Sequence, residues 1–349
     1  MKIMFVDIST WGHHTSYINA LMEISSPESF AVLPEDGKEI KGRCRKLPCR
    51  NMRSLFGYLN WMSDLNKIAK EEKPDLIHFL DGDSIMRYFG LGFSGFSGSK
   101  IMITFHHLFP GRLREISMRR MLKYAERGVF HTEEITEQVR SFGCKNIETI
   151  TYPCFLKISE EGTEESKKEG KVLLALGATR HDKGLDILLE ALERVTVPFQ
   201  LIIAGAEGDF DEKYINDRSK KYREKVEVNL NFLTEKQIAG YFRRADIVVL
   251  PYRKIFDGAS GPMGEGVSFG KTIIGPSHGS LGGTIKKNHV GYTFESENIE
   301  SLAETIEKAL QEDFRYDKIA KEYQASLKPE TFQKKYKMLY EEVISRASR

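Results

Sequence analysis

Short β-rich apolar runs alternate with longer segments of helical periodicity along this chain, and the pattern breaks off midway and restarts. The first half gives KIMFVDI, SFAVLP, DLIHFL, KIMITFH, GVFHT and IETITY as strands, with helical segments such as TSYINALMEI and MRSLFGYLNWMSDLNKIAKEE between them. The strands carry apolar residues on both faces, as a parallel sheet covered by helices requires. A polar stretch without an apolar face, LKISEEGTEESKKEGK, reads as a linker. Then KVLLALG, FQLIIAG, VEVNLNF, ADIVVLP, TIIGP and GYTFE alternate with GLDILLEALERV, TEKQIAGYFRRA and IESLAETIEKALQ. Such alternation implies doubly wound α/β sheets. The expected fold is therefore two Rossmann-like α/β domains in series, facing a central cleft at the C-terminal ends of their strands. A length of 349 residues suits two domains. The expected boundaries are 1–160, 161–327 and a C-terminal amphipathic helix, 328–349.

Bulk properties exclude more than they select. Formal net charge is +2, so charge alone points to no partner. No apolar run approaches the roughly 20 residues that span a bilayer, and MKIMFVDIST reads as a buried strand rather than a secretory signal. The chain is therefore placed in the cytoplasm. Cys44, Cys49, Cys144 and Cys154 show no CxxC spacing and read as reduced thiols. There is no Walker pattern and no GxGxxG after the first strand, which weighs against a dehydrogenase.

Two loops in the second half carry the chemistry. In LALGATRHDKGLDILLEAL a strand ends at Gly177, Arg180 and Lys183 follow, and Gly184 lets a helix begin. Two cations beside a helix N-terminus make an anion site suited to phosphate. In DGASGPMGEGVSFGK, Ser260 and Gly261 allow close backbone approach, and Pro262 suits the first turn of a helix. Free N–H groups near Gly261, Met263 and Gly264 would take a second phosphate oxygen. Glu265, inside that helix, can accept from both hydroxyls of a vicinal diol such as a ribose. Asp257, before the turn, could reach a second polyol such as a hexose. Together these parts describe a nucleotide diphosphate sugar as donor substrate, with no cofactor. A third element, Asp81-Gly82-Asp83, has the spacing of a DxD metal site. It reads better as a strand-to-helix turn with Asp83 near the helix start, and no metal is expected.

These segments resemble the retaining glycosyltransferases of the GT-B fold, family 4. GATRHDKG is similar to the family's G…R..KG element, and D-x7-E, from Asp257 to Glu265, to its E-x7-E element. ADIVVLPY precedes the latter, and GKTIIGPSHGSLGGTI and GYTF follow it in the family's order. In the first half ITFHHLFP resembles the family's histidine-bearing strand end, with His106 at the matching position. The resemblance implies that Arg180 and Lys183 neutralise the diphosphate leaving group and that Glu265 holds the ribose. It implies that Asp257 holds donor-sugar hydroxyls, that His106 contacts the donor sugar on the acceptor side, and that the C-terminal helix crosses back to pack on the first domain. Gly12 would let backbone approach the donor, and His13 and His14 would line the acceptor pocket. It also implies metal-independent transfer with retention, by same-face attack in which the donor phosphate takes the acceptor's proton. Asp257 departs from the family, which more often has Glu there.

Two stretches of the first half are basic and partly apolar. KGRCRKLPCRNMRSLFGYLNW carries Lys41, Arg43, Arg45, Lys46, Arg50 and Arg53 before Leu55, Phe56, Tyr58 and Trp61. FPGRLREISMRRMLKYAERG adds Arg112, Arg114, Arg119, Arg120 and Lys123. Such surfaces suit an anionic membrane or a lipid-linked or anionic glycan acceptor. Nucleic acid is not expected, because no recognition motif accompanies the charge. The reading is a hexosyltransferase using a UDP- or GDP-sugar in cell-surface polysaccharide or glycoconjugate synthesis, peripheral at the inner membrane face. The alternatives are a binding or regulatory protein of the same fold, weakened at Asp257, and a nucleotide-sugar epimerase of the same architecture.

Overall fold

The computed structural model describes residues 1–8, 14–37, 39–49, 52–96, 98–107, 111–158, 170–256 and 259–345. The chain divides into unit 1, Met1–Phe155 with Pro329–Arg349, and unit 2, Leu156–Lys328. Most of the stretch read as a linker, 159–169, lies outside the described residues.

Unit 1 begins with β1 (Ile3–Val6), α1 (His14–Glu23), β2 (Phe30–Leu33), β3 (Arg43–Lys46), α2 (Leu55–Glu72) and β4 (Leu76–Phe79). It continues through α3 (Gly82–Ile85), β5 (Lys100–Thr104), α4 (Arg112–Tyr124), β6 (Arg127–Phe130), α5 (Glu133–Ser141) and β7 (Ile147–Thr149). The strands pair in parallel in the order β3-β2-β1-β4-β5-β6-β7. The central strands are buried along their whole length, which is why they read as unbroken apolar runs. Local signals place the helix ends. The Ser54 side chain accepts from the Gly57 N–H to start α2, and Thr132 accepts from Ile135 to start α5. The edge strand β3, sequence RCRK, is exposed and charged, so it has no apolar signature and its basic residues hid it.

Unit 2 runs β8 (Lys171–Leu176), α6 (Leu185–Leu192), β9 (Phe199–Ala204), α7 (Glu212–Arg218), β10 (Val226–Asn229), α8 (Glu235–Arg244) and β11 (Ile247–Val249). Then come α9 (Gly261–Ser268), β12 (Thr272–Pro276), α10 (Gly279–Lys287), β13 (Gly291–Phe294), α11 (Ile299–Gln311) and α12 (Lys318–Ser326). All pairings are parallel, in the order β10-β9-β8-β11-β12-β13. Winding reverses between β8 and β11, so the loops leaving these two neighbours diverge and open a crevice. In each unit the core lies between the sheet and its helices.

The last helix, α13 (Pro329–Ser345), belongs to unit 1. Phe332, Tyr336 and Tyr340 are fully buried on it. They dock through a polar chain. Tyr17 and Tyr336 hydroxyls lie 2.6 Å apart, Tyr336 lies 3.1 Å from the Thr104 hydroxyl, and His78 bridges Thr104 and Tyr340 at 2.8 Å each. Burial pushes the His78 pKa down to about 3, so the ring is neutral and both nitrogens are committed. Tyr340→Phe removes one partner and leaves a buried ring nitrogen unsatisfied. It is expected to cost about 1–3 kcal/mol. Both tryptophans, Trp11 and Trp61, fall in unit 1, so fluorescence-monitored denaturation reads the loss there.

Candidate active site

In unit 2 the chain leaves β8 at Gly177, whose φ of 126° is open to glycine. A Cβ on Gly205, at the end of β9, would meet the Gly177 carbonyl at 2.3 Å, so the two loops pass backbone to backbone. Thr179 ties them together. Its hydroxyl donates to the Phe210 carbonyl at 2.7 Å and accepts from the Gly208 N–H at 2.8 Å. The loop then makes a 3-10 turn over His181–Lys183 and ends at Gly184, with φ 64°. A Cβ there would lie 2.0 Å from the Pro251 carbonyl, so only glycine lets the β8 and β11 loops touch before α6 begins. Arg253 clamps the same contact. Its Nε donates to the His181 carbonyl at 3.0 Å, its N–H to the Asp182 carbonyl at 3.0 Å, and its guanidinium pairs with Asp186.

An open depression lies against these loops, lined by Gly177, Thr179, Lys183, Pro251 and Tyr252 among others. The Lys183 ammonium stands 3.7 Å from the Tyr252 ring centroid and 4.1 Å from that of Phe256. Among the described residues it has no hydrogen-bond or ion-pair partner; the aromatic faces hold it by cation–π attraction. Arg180 is placed differently. Its Nε and a terminal nitrogen donate to the two Asp182 oxygens at 2.9 and 2.7 Å. Asp182 accordingly raises the Arg180 pKa, and Arg180 lowers that of Asp182. The side chain of Arg180 is 56% exposed, so the pair is weak and solvent-screened.

The loop after β11 leads to α9. Ser260 is its buried N-cap, and its hydroxyl lies 3.4 Å from that of Tyr252. The expected set of free amides needs correction. The Met263 N–H donates to the Ser260 side chain at 3.4 Å and the Gly264 N–H to the Ser260 carbonyl at 3.1 Å, because Ser260 caps its own helix. Of the three amides only that of Gly261 has no partner among the described residues. Glu265 is buried in α9, 6% exposed. Burial, then the charge of Glu235, pushes its pKa up to about 7. Asp257, Gly12 and His13 lie outside the described residues.

His106 belongs to unit 1, where it follows β5. Its Nε2–H donates to the Leu80 carbonyl at 2.8 Å, its backbone N–H donates to Asp83 at 2.6 Å, and burial pushes its pKa down to about 4. It is a neutral ring tied to the end of β4. The Asp81-Gly82-Asp83 element is a turn. Asp81 N-caps α3, accepting from the Ser84 N–H at 3.2 Å and hydroxyl at 2.5 Å. Asp83 accepts from the His106 and His107 amides, and burial, then the charge of Asp81, pushes its pKa to about 8. Among the described residues no three His, Cys, Asp or Glu side chains gather as a metal-binding group.

The first basic stretch is ion-paired in part, and Arg50 lies outside the described residues. Arg43 and Arg45 pair with Glu72 at 2.6 and 2.7 Å, Lys41 with Glu23 at 3.3 Å, and Lys46 donates to the Gly37 carbonyl. Tyr58 and Trp61 are buried rather than displayed, whereas Leu55 and Phe56 are exposed. On α4, Leu113 and Ile116 are exposed among Arg112, Arg114, Arg119, Arg120 and Lys123. Among the described residues no helix is long and apolar enough to cross a membrane.

Sequence reasoning missed the aromatic faces under Lys183, because Tyr252 read only as a strand end. It also missed Asp182 as the partner of Arg180, although the acid stands between the two cations.

Two parallel doubly wound sheets with a returning C-terminal helix define a two-domain α/β protein of the GT-B class, with a pocket at the β8–β11 reversal. The sequence profile of the family described as Glycosyl transferases group 1 matches residues 158–326, most of unit 2. Among solved structures, a glycosyltransferase from Rickettsia africae is similar at 18% identity and TM-score 0.76, with 99% of each chain covered. Anabaena HepE in complex with UDP is similar at 15% identity and TM-score 0.78, with 98% of this chain and 100% of that chain covered. Sucrose-phosphate synthase from Thermosynechococcus elongatus is similar at 15% identity and TM-score 0.76, covering 99% and 100%. No curated protein matches the sequence.

Asp182→Asn breaks the ion pair with Arg180 and is expected to tighten binding of inorganic diphosphate by up to about 1 kcal/mol, the worth of an exposed pair. Titration calorimetry checks it; unchanged or weaker binding would place Arg180 outside the anion site.

Proposed function

We propose that the chain is a retaining, metal-independent hexosyltransferase that uses a UDP- or GDP-sugar to extend a glycan or lipid-linked acceptor. The product would belong to cell-surface polysaccharide or glycoconjugate synthesis. The observation that carries this reading is Lys183. It is an ammonium without an anionic partner among the described residues, set beside the start of α6 on the pocket of the unit that the glycosyl transferases group 1 profile matches. A diphosphate would supply the missing anion. A relative of the same fold, HepE, was crystallised with UDP, which fits this choice of ligand.

Glycosyl transfer passes through an oxocarbenium-like state as the diphosphate departs. The protein's main task is then to stabilise charge on the leaving phosphate. Lys183, Arg180 freed from Asp182, the Gly261 N–H and the N-terminal end of α6 would do so, in a site where such electrostatic terms are large. Glu265 would hold the ribose and Asp257 the donor-sugar hydroxyls. The test is incubation with UDP-, GDP- and ADP-glucose in EDTA, with the released sugar followed by NMR. Release from one donor with the α-anomer formed first supports the reading. Release only with Mg²⁺, or of the β-anomer, contradicts its metal or stereochemical part.

Glu265 gives a pH signature. Its pKa is raised, so the free protein is protonated there below about 7. A ribose diol donating both hydroxyls needs the carboxylate, so below that pH binding must expel a proton. UDP affinity should fall as pH drops through about 7, and more steeply than that of 2′-deoxy-UDP, which shares the titration of the terminal phosphate but not the full diol. Equal pH dependence of both nucleotides would remove Glu265 from the ribose site.

For the acceptor side, the exposed Leu113 and Ile116 among the cations of α4 suit an anionic membrane surface at the cytoplasmic face. Co-sedimentation with phosphatidylglycerol vesicles should be lost in Leu113→Asp. No sedimentation of the wild type at low salt would contradict membrane contact.

A further inference from the structure

Among the described residues Phe232 is the most exposed large apolar side chain, 91% exposed, and its ring packs on no other. It sits between β10 and α8, at the C-terminal edge of the unit 2 sheet. A phenylalanine left in water forgoes the gain of burial, and here a firmly held segment leaves it there. The Gly205 N–H donates to the Asn229 carbonyl at 3.0 Å, Asn229 Nδ2 to the Tyr241 hydroxyl at 2.7 Å, and Asn231 Nδ2 to Asn229 Oδ1 at 2.9 Å. Past Phe232, Thr234 and Gln237 form a reciprocal capping box that starts α8. The ring is thus displayed by a segment fixed at both ends.

Both ends of that segment lie close to the unit 2 pocket. Strand register sets Asn229 beside Ala204, and Ala204 beside Leu176, which lines the pocket. Two strand spacings, about 10 Å, therefore separate the end of β10 from the β8 loop. The crossover from β10 to β11 passes β9 and β8, and α8 packs on β8, so the chain leaving β10 turns toward the crevice. It arrives at Glu235, the first residue of α8, whose charge reaches Glu265 in α9. Phe232 stands midway along the rim that joins the end of β9 to the neighbourhood of Glu265.

We propose that Phe232 is the platform on which the nucleobase of the donor stacks; this rests on the nucleotide-sugar reading above and deepens it. With the diphosphate at Lys183 and the ribose at Glu265, the base falls beside Glu235 and so beside this rim. A planar base laid on the ring covers an apolar face that the fold itself leaves bare. Stacking of bases on an aromatic ring tolerates any base, because every base has a π-face. Phe232 therefore supplies affinity for the nucleoside and does not choose among uracil, guanine and adenine.

The probes are UDP, GDP, ADP and inorganic diphosphate, titrated calorimetrically in EDTA into the wild type and Phe232→Ala. Because the side chain is exposed, this substitution removes nothing from the core. The nucleoside diphosphate that binds should lose roughly 5- to 150-fold in affinity, the worth of one stacked base, and inorganic diphosphate should bind both proteins alike. Phe232→Trp should keep nucleotide binding, and its added indole emission should be quenched by the nucleotide but not by diphosphate. Equal nucleotide affinity in the wild type and Phe232→Ala, or an equal loss for nucleotide and diphosphate, overturns the stacking assignment alone. Emission of Phe232→Trp that bound nucleotide leaves unchanged overturns it too. Binding of no nucleoside diphosphate by the wild type overturns the nucleotide-sugar reading, and the proposal with it.

Discussion

The reversal of winding between β8 and β11 is the constraint on which the unit 2 site depends. Parallel strands that wind outward in opposite directions leave a gap where their first loops part. Here that gap is narrowed by backbone contact. Gly184 lies so close to the Pro251 carbonyl that no side chain fits, and Arg253 bolts the two loops together. The result fixes Lys183, Tyr252 and the cap of α9 in one place without a single long loop.

The charges in that place are held by weak internal partners. Lys183 rests on two aromatic rings, and the exposed Arg180 on the half-buried Asp182 carboxylate. Neither interaction is strong enough to resist a doubly charged ligand. Both keep the side chains ordered near the pocket, which lowers the entropic cost of binding. Glu265 is the opposite case. It is buried deeply enough to be half protonated near neutrality, and a pair of hydroxyl donors would stabilise its ionised form.

The alternation of buried strands and amphipathic helices was legible in the sequence because parallel strands are apolar throughout. The GT-B class followed from it, together with the order of the motifs. Elements without an apolar signature stayed hidden, such as the charged edge strand β3 and the glycine-rich α10. At the site, residue types were legible but partners were not. Nothing in GATRHDKG says that Asp182 takes Arg180, or that Ser260 takes the Met263 amide, since both depend on how a turn closes. Asp7 was hidden for another reason: a carboxylate at a strand end takes its partner only through the fold, here His14 at 2.9 Å.

The central claim is that Lys183 and its loop receive a nucleoside diphosphate. Calorimetric titration of UDP, GDP and ADP in EDTA, on the wild type and on Lys183→Ala, tests it most directly. The account predicts metal-independent binding of one of the three, weakened by about 1.5–3 kcal/mol in the variant, the worth of a hydrogen bond to a charged group. Binding of equal strength to both proteins, or none without Mg²⁺, would contradict it.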